Sequence, residues 1–178
     1  MKSIQDLYMK KRSELVRTKR YPNIMAVPSI VKVVINAGVG NGATDAVRLE
    51  ALEKILMQIS GQKAVVTQAK KAISNFGIRK GDAVGVMVTL RGVNMWCFLE
   101  KFISAVLPRT RDFRGIKESQ VDQGGNLNFG IKEHNVFLEI DPNEVEKSQS
   151  MQVTIVLKNA NHAQAIEFYR GISIPFIE

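Results

Sequence analysis

Ile30-Val31-Lys32-Val33-Val34-Ile35 is the stretch that decides the fold of this 178-residue chain. Five of its six side chains are β-branched, and such residues favour an extended strand. A glycine-rich stretch at residues 38–42 follows, and residues 45–60 then carry aliphatic side chains at helical spacing. This strand, loop and helix indicate that helices and strands share one core.

The same criteria, applied outward from this unit, predict further elements on both sides of it. The patterns predict helices over residues 3–19, 94–106 and 160–170 and strands over residues 63–68, 84–91, 127–132, 136–140 and 151–157. The order mixes hairpin connections with crossovers, so we predict an α+β fold of two layers, a largely antiparallel sheet with helices packed on one face. No repeat or linker interrupts the chain, which predicts a single domain over residues 1–178.

The charge of the chain is unevenly distributed. The net charge is +8 and the pI is near 9.7. Residues 1–117 carry 21 Lys and Arg against 8 Asp and Glu, whereas residues 118–178 carry 4 against 9. The excess of basic residues in the first part indicates a polyanionic partner. The excess of acidic residues in the second part indicates a surface exposed to water or a surface that binds a basic protein.

Cysteine content and hydropathy limit the cellular compartments in which the chain is expected. Cys97 is the only cysteine, which excludes an internal disulfide and predicts a reducing compartment. No apolar run reaches the roughly 20 residues that a membrane-spanning helix needs. We therefore expect no membrane partner.

A nucleotide-dependent enzyme is the first rival interpretation. Gly38, Gly40 and Ala43 satisfy the spacing of a dinucleotide-binding loop between a strand and a helix. The next predicted strand, residues 63–68, lacks the acidic residue that would hold the ribose, and no Gly-Lys-Ser/Thr follows the glycines. The pattern therefore argues against nucleotide binding.

Other catalytic and metal-binding patterns are absent from the sequence. His134 and His162 are distant from each other and from Cys97, and no pair has the spacing of metal ligands. Asp141, Glu144 and Glu146 form a loose acidic cluster that a solvated loop explains. We predict no enzymatic activity, no cofactor and no metal site.

Two basic segments suggest contact with RNA. The predicted loop over residues 69–82 surrounds Phe76 with lysines, arginine and turn-forming residues, so it suits a ribose–phosphate backbone. Alternatively, Phe76 and Ile78 anchor that loop on the core.

Residues 107–115 carry three arginines, whose planar forks suit phosphates. The alternative there is that the arginines pair with the acidic second half.

Several longer motifs occur together in the order and spacing of one family. They are Asn23-Ile24-Met25-Ala26-Val27-Pro28, Val34-Ile35-Asn36-Ala37-Gly38-Val39-Gly40, Ser60-Gly61-Gln62-Lys63, Ala69-Lys70-Lys71-Ala72-Ile73, Val88-Thr89-Leu90-Arg91-Gly92, Leu107 to Gly115 and Gly130-Ile131-Lys132-Glu133. Over essentially its whole length the chain resembles the large-subunit ribosomal protein five family in its bacterial form. The resemblance implies a structural protein of the central protuberance that binds 5S rRNA.

The resemblance also implies particular contacts. Asn36, Gln62 and Thr89, with Arg91 close by, fall on positions that the family uses for 5S rRNA. Neutral side chains of this kind suit fixed contacts with ribose hydroxyls and phosphates. The loop over residues 69–82 corresponds to the one that reaches peptidyl-site tRNA. Its candidate contacts are Lys70, Lys71, Ser74, Asn75, Arg79 and Lys80.

Further partners follow from the same resemblance. They are large-subunit rRNA, neighbouring large-subunit proteins and the basic small-subunit head protein thirteen, with which the family forms an intersubunit bridge. Arg109, Arg111 and Arg114 are open between RNA, the bridge and internal packing. A free RNA-binding regulator is a third interpretation, and it predicts similar binding to many structured RNAs.

The chain also departs from the family pattern. Residues 120–127 lack its usual arginine and tyrosine, residues 137–140 lack its proline, and residues 148–151 lack its Arg-Gly. These departures bear on the C-terminal contacts and suggest a divergent lineage. The expected location is the cytoplasmic ribosome of a bacterium or the ribosome of an organelle.

Overall fold

The computed structural model describes residues 3–18, 20–39, 46–111, 113–140 and 149–177. Its helices are α1 (Ile4–Arg17), α2 (Ala46–Ser60), α3 (Gly92–Lys101), α4 (Leu107–Arg109) and α5 (His162–Gly171). Its strands are β1 (Ser29–Gly38), β2 (Val65–Gln68), β3 (Ala83–Leu90), β4 (Leu127–Ile131) and β5 (Met151–Lys158). They form an antiparallel sheet in the order β2-β3-β1-β5-β4. The predicted α+β fold is confirmed.

The strands bury one face of the sheet and expose the other. In β5 the residues from Met151 to Leu157 are buried at alternate positions, and the residues between them are half or fully exposed. In β3, Val86, Val88 and Leu90 are buried in the same way. Because strand side chains alternate between faces, β3 and β5 each bury one face and expose the other.

Residues 1–33, 91–129 and 154–178 contribute to one compact unit. In this unit α1 packs against α3 and α5. The Tyr8 ring lies 4.7 Å from the Trp96 ring and 5.9 Å from the Phe168 ring, measured between centroids. The buried Tyr169 hydroxyl donates a 3.0 Å hydrogen bond to the carbonyl of Gly125. Aromatic packing thus joins helices that are distant in sequence.

Residues 34–90 and 130–153 contribute to a second compact unit, in which α2 packs on β2 and β3. The fully buried His134 accepts a 3.0 Å hydrogen bond at Nδ1 from the backbone N–H of Gln149. The Gln149 side chain donates to the carbonyl of Gly38 and accepts from Arg48, at 2.8 Å each. The strands β1, β4 and β5 contribute to both units, and the single domain stays a prediction.

The predicted strand over residues 136–140 is wrong. His134–Val136 forms a 3₁₀ turn, and turns and bends follow it to residue 140. Phe137 and Ile140 are buried, but Leu138 between them is 64% exposed. Burial at a spacing of three, with the buried His134 bonded to Gln149, fits a turn folded onto the core, whereas a strand buries alternate residues.

The helix predicted over residues 94–106 continues past its predicted end, through Pro108. A π turn over Phe102–Val106 joins α3 to α4, which runs to Arg109. The N–H of Leu107 donates to the carbonyl of Phe102 across this wider turn. Because proline lacks an N–H and crowds the preceding turn, the widened turn directly before Pro108 lets the helix continue.

The other predicted elements are observed, with ends that differ by a few residues. The last residue of the predicted helix over 3–19 and the first of that over 45–60 lie outside the described residues. No helix of the described residues is long and apolar enough to span a membrane.

Candidate RNA interface

Gln62 and Thr89, predicted to share a site, are in direct contact. The Gln62 side-chain Nε2 donates a hydrogen bond to the Thr89 carbonyl at 3.3 Å. The backbone N–H of Gln62 donates to Oγ of Ser60 at 3.2 Å, and Ser60 is buried at the end of α2. Ser60 therefore positions Gln62, a role that the sequence analysis missed. The sequence feature that could have indicated this role is a serine at the end of the predicted helix, two residues before the glutamine.

Asn36 lies on the exposed face of the same part of the sheet. It is exposed between two buried neighbours in β1, and it has no side-chain partner among the described residues. The N–H of Val39 donates to the carbonyl of Val84 at 3.0 Å, which fixes the register of β1 and β3. An antiparallel count from this pair places Asn36 opposite Met87. Thr89 is two residues further along the same face of β3.

Gly85 in β3 lies close to the backbone at the end of β1. A Cβ atom at Gly85 would lie 2.7 Å from the Ala37 carbonyl oxygen and 3.3 Å from the Gly38 Cα. Only glycine fits that distance without a shift of the backbone. The exposed Gly38 lies beside it, so two neighbouring positions of this face carry no side chain.

Arg91 directly follows β3 and caps the start of α3 with an extended backbone. It is exposed, and its Nη1 donates to the carbonyl of Val31 at 3.4 Å. This single contact leaves most of its five donors available to a ligand.

The basic loop, residues 69–82, is closed at its base and exposed along its length. Its N–H groups at Ala69 and Gly81 donate to the carbonyls of Asp82 and Ala69 at 2.8 and 2.9 Å. The exposed candidate contacts are Lys70, Lys71, Ser74, Asn75, Arg79 and Lys80. Phe76 is 65% exposed and so does not anchor the loop on the core, whereas Ile78 is half-buried.

Arg109, Arg111 and Arg114 are exposed. Within the described parts of the chain their side chains have no ion pair or hydrogen bond. In the acidic second half, Glu118 and Glu167 pair with Arg170 and Arg20 instead. The alternative of internal pairing is therefore not seen for these arginines.

No three His, Cys, Asp or Glu side chains cluster as a metal site in the described ranges. Residues 40 and 43 of the dinucleotide spacing and the acidic cluster at 141–146 lie outside those ranges.

Comparison with known proteins bears on the identity of the chain. The family model described as ribosomal protein L5 matches residues 23–79, and the model described as the C-terminus of that ribosomal family matches residues 83–176. Large ribosomal subunit protein uL5 of Anaplasma phagocytophilum (strain HZ) is 46% identical over 155 residues, which cover 87% of this chain and 88% of that protein. The protein of the same name from Thermobifida fusca (strain YX) is 41% identical over 179 residues, covering 98% and 94%.

These matches confirm the resemblance and the ribosomal location that it implies. They also exclude the nucleotide-dependent enzyme, because the family is structural and non-enzymatic. The chain belongs to the ribosomal protein L5 family, a family of structural constituents of the large ribosomal subunit.

Proposed function

We propose that this large-subunit protein binds 5S rRNA through the exposed sheet face at Asn36, Gln62 and Thr89, with Arg91 adding a charged contact. The observation that carries the proposal is the Gln62–Thr89 hydrogen bond beside the exposed, unpartnered Asn36. Neutral donors and acceptors held in place by the sheet suit ribose 2′-hydroxyls and phosphate oxygens.

Alanine substitutions at Asn36 and Gln62 test this proposal. We expect each to weaken 5S rRNA binding by about 1–3 kcal/mol, since each leaves a polar group of the complex unpaired. Asn135→Ala and Gln58→Ala, at exposed positions of the same compact unit, are the matched controls. The titration includes tRNA and an unrelated hairpin as competitors. Unchanged affinity in both test variants contradicts the proposal, and equal binding to all three RNAs favours a general RNA-binding regulator.

We also propose that the basic loop contacts peptidyl-site tRNA. The loop combines exposed cations with the exposed ring of Phe76, and such rings stack on bases or riboses. A variant that shortens the loop between Ala69 and Asp82 tests this role, because the hydrogen bonds at its base can remain. We expect normal 5S rRNA binding and weaker tRNA binding to ribosomes that carry the variant. Loss of 5S rRNA binding instead contradicts this division of the surface.

An intersubunit bridge to small-subunit head protein thirteen completes the proposal. Its support is the family resemblance and the acidic balance of residues 118–178, which suits a basic partner. Glu133→Lys and Glu139→Lys reverse exposed charges and are expected to weaken subunit association. The matched control is Glu50→Lys, an exposed position on α2. Equal effects of test and control contradict this assignment.

A further inference from the structure

The arginine loop, defined as residues 109–111 and 113–115, has three exposed arginines that the described structure leaves without partners. The negative end of the preceding helix does not engage them. The carbonyls of Val106 and Leu107 accept from the backbone N–H of Thr110 at 3.1 and 3.2 Å. The Thr110 hydroxyl also donates to Val106 at 2.9 Å. Within the described residues, the side chains of Arg109, Arg111 and Arg114 bond none of the helix carbonyls.

The aromatic residue of the loop is used for anchoring. Phe113 is half-buried, and its ring meets the ring of Phe129 edge-on at a centroid distance of 6.2 Å. Phe129 in turn meets Phe102 at 5.7 Å. A ring held in such a cluster is not free to stack on a base. The outward-facing chemistry of the loop is thus that of its arginines.

A second segment of the chain fixes the far end of the loop. Ile116 and the segment 175–177 form a parallel bridge, with N–H to carbonyl distances of 2.8 Å from Ile116 to Pro175 and 3.0 Å from Ile177 to Ile116. Gly115 has a φ of +122°, and a Cβ atom there would lie 2.8 Å from the Ile177 nitrogen. The loop is therefore held at Thr110, Phe113 and Gly115–Ile116.

We propose that the arginine loop is a preformed clamp for the sugar–phosphate backbone of RNA. Three planar guanidinium forks on a fixed backbone lose little freedom when they bind phosphates. The absence of a free aromatic ring in the described loop predicts contact with the backbone and not with bases. A basic protein is disfavoured because it carries the same sign of charge. This inference rests on the proposed RNA-binding function and assigns these arginines to RNA.

A triple Arg→Gln variant at 109, 111 and 114 tests the clamp. Its matched control changes Lys10, Arg17 and Lys158 to Gln, which removes the same charge from exposed positions of the same compact unit. Binding to 5S rRNA and to a short RNA duplex of arbitrary sequence is measured between about 50 and 200 mM salt. The slope of log affinity against log salt concentration is negative. For the arginine triple we expect this slope to be shallower by about 3 on at least one of the two RNAs, since each lost phosphate contact makes it shallower by about 1.

Two variants that keep the charge separate geometry from attraction. Triple Arg→Lys is expected to retain the salt slope but to bind RNA more weakly than the wild type, because an ammonium lacks the bidentate fork. Gly115→Ala is expected to weaken RNA binding because its Cβ displaces the loop from segment 175–177. Circular dichroism confirms that each variant is folded, and the Arg→Lys result decides if Gly115→Ala does not fold.

The proposal is overturned if the arginine triple and its control reduce the slope equally, since the charge then acts without regard to position. The proposal is also overturned if the arginine triple binds both RNAs as tightly as the wild type does. If that variant also weakens subunit association, the arginines contact a protein and not RNA. If the proposed 5S rRNA site is wrong but the clamp is right, the experiments give a different result. Asn36→Ala and Gln62→Ala would then leave 5S rRNA affinity unchanged while the arginine triple still lowers the salt slope.

Discussion

The basic loop and the arginine loop have similar composition, but they differ in the exposure of their phenylalanine and in the contacts that close them. Each carries several cations and one phenylalanine in a connection between regular elements. In the basic loop Phe76 is 65% exposed, whereas in the arginine loop Phe113 packs against Phe129. The basic loop is closed by hydrogen bonds between its own residues, and the arginine loop is closed by a distant segment of the chain.

This difference teaches that charge alone does not describe a binding loop. An exposed aromatic ring adds a surface that can follow the shape of a nucleotide. A buried ring removes that surface but holds the backbone that carries the cations. We therefore expect substitutions of exposed side chains in the basic loop to change binding with little effect on stability, and substitutions of the anchors in the arginine loop to change both.

The largest expected effect on stability is that of Gly115→Ala. The new Cβ would collide with segment 175–177, and the φ of +122° is strained for any residue with a side chain. We expect a loss of about 2–4 kcal/mol of unfolding free energy, measured by urea denaturation. Gly77→Ala in the basic loop is the control, because its φ is +64° but nothing lies within 4 Å. It should cost about 1–2 kcal/mol, and equal losses would remove the difference between the loops.

The two phenylalanines give the next largest contrast. Phe113→Ala is expected to cost about 2–3 kcal/mol because it empties part of the cluster with Phe129. Phe76→Ala should change stability by no more than about 0.5 kcal/mol, as is usual for an exposed position. On ribosomes the order should reverse, with Phe76→Ala the more harmful to tRNA binding. A large loss of stability in Phe76→Ala would show that the ring is an anchor after all.

His134 lies outside both loops and sets the pH range in which they can be compared. Burial lowers the pKa of His134. The unfolded chain, with an ordinary histidine pKa of about 6.5, then takes up the proton first. Stability contributed by neutral His134 is present above about pH 6.5 and is lost as the pH falls below it.

Urea denaturation of the wild type across this pH range checks the expectation for His134. His134→Asn offers an acceptor near the Nδ1 position and removes the titration, so its stability should depend less on pH between about 7 and 5. Identical pH profiles for the two proteins would contradict the assignment.

The smallest expected effect is that of Arg170→Gln. Arg170 pairs with Glu118 at 3.0 Å and lies 5.9 Å from the centre of the Phe176 ring in the segment that closes the arginine loop. Both contacts are exposed at the arginine, so we expect a loss of about 0.5–1 kcal/mol in urea denaturation. Lys10→Gln, which removes an exposed charge without such contacts, is the control and should have a smaller effect.

The regular elements could be predicted because their patterns are local. The alternation in β5 and the apolar spacing of α2 are visible without knowledge of the fold. The strand at 136–140 failed because Phe137 and Ile140 are buried by a turn that His134 and Gln149 hold, and no local pattern shows that contact. The end predicted at residue 106 was wrong because the π turn over Phe102–Val106 lets the helix continue through Pro108.

The candidate RNA contacts divide in the same way. The cations were visible in the composition, but Asn36, Gln62 and Thr89 were indicated only by family resemblance, since neutral polar residues are common on any surface. Ser60 behind Gln62 and the close approach of Gly85 to Ala37 depend on three-dimensional contacts. The anchoring of the arginine loop depends on Ile116 meeting Ile177, which the sequence does not indicate.

The pairing of Ile116 with segment 175–177 has a consequence for ribosome assembly. The two partners are distant in the chain, and such contacts form late because closing a long loop costs entropy. A partly folded chain therefore carries all three arginine charges without their final geometry. On the proposed clamp function, we expect such a chain to attract RNA without holding it in register, and to enter the subunit less readily than the folded protein.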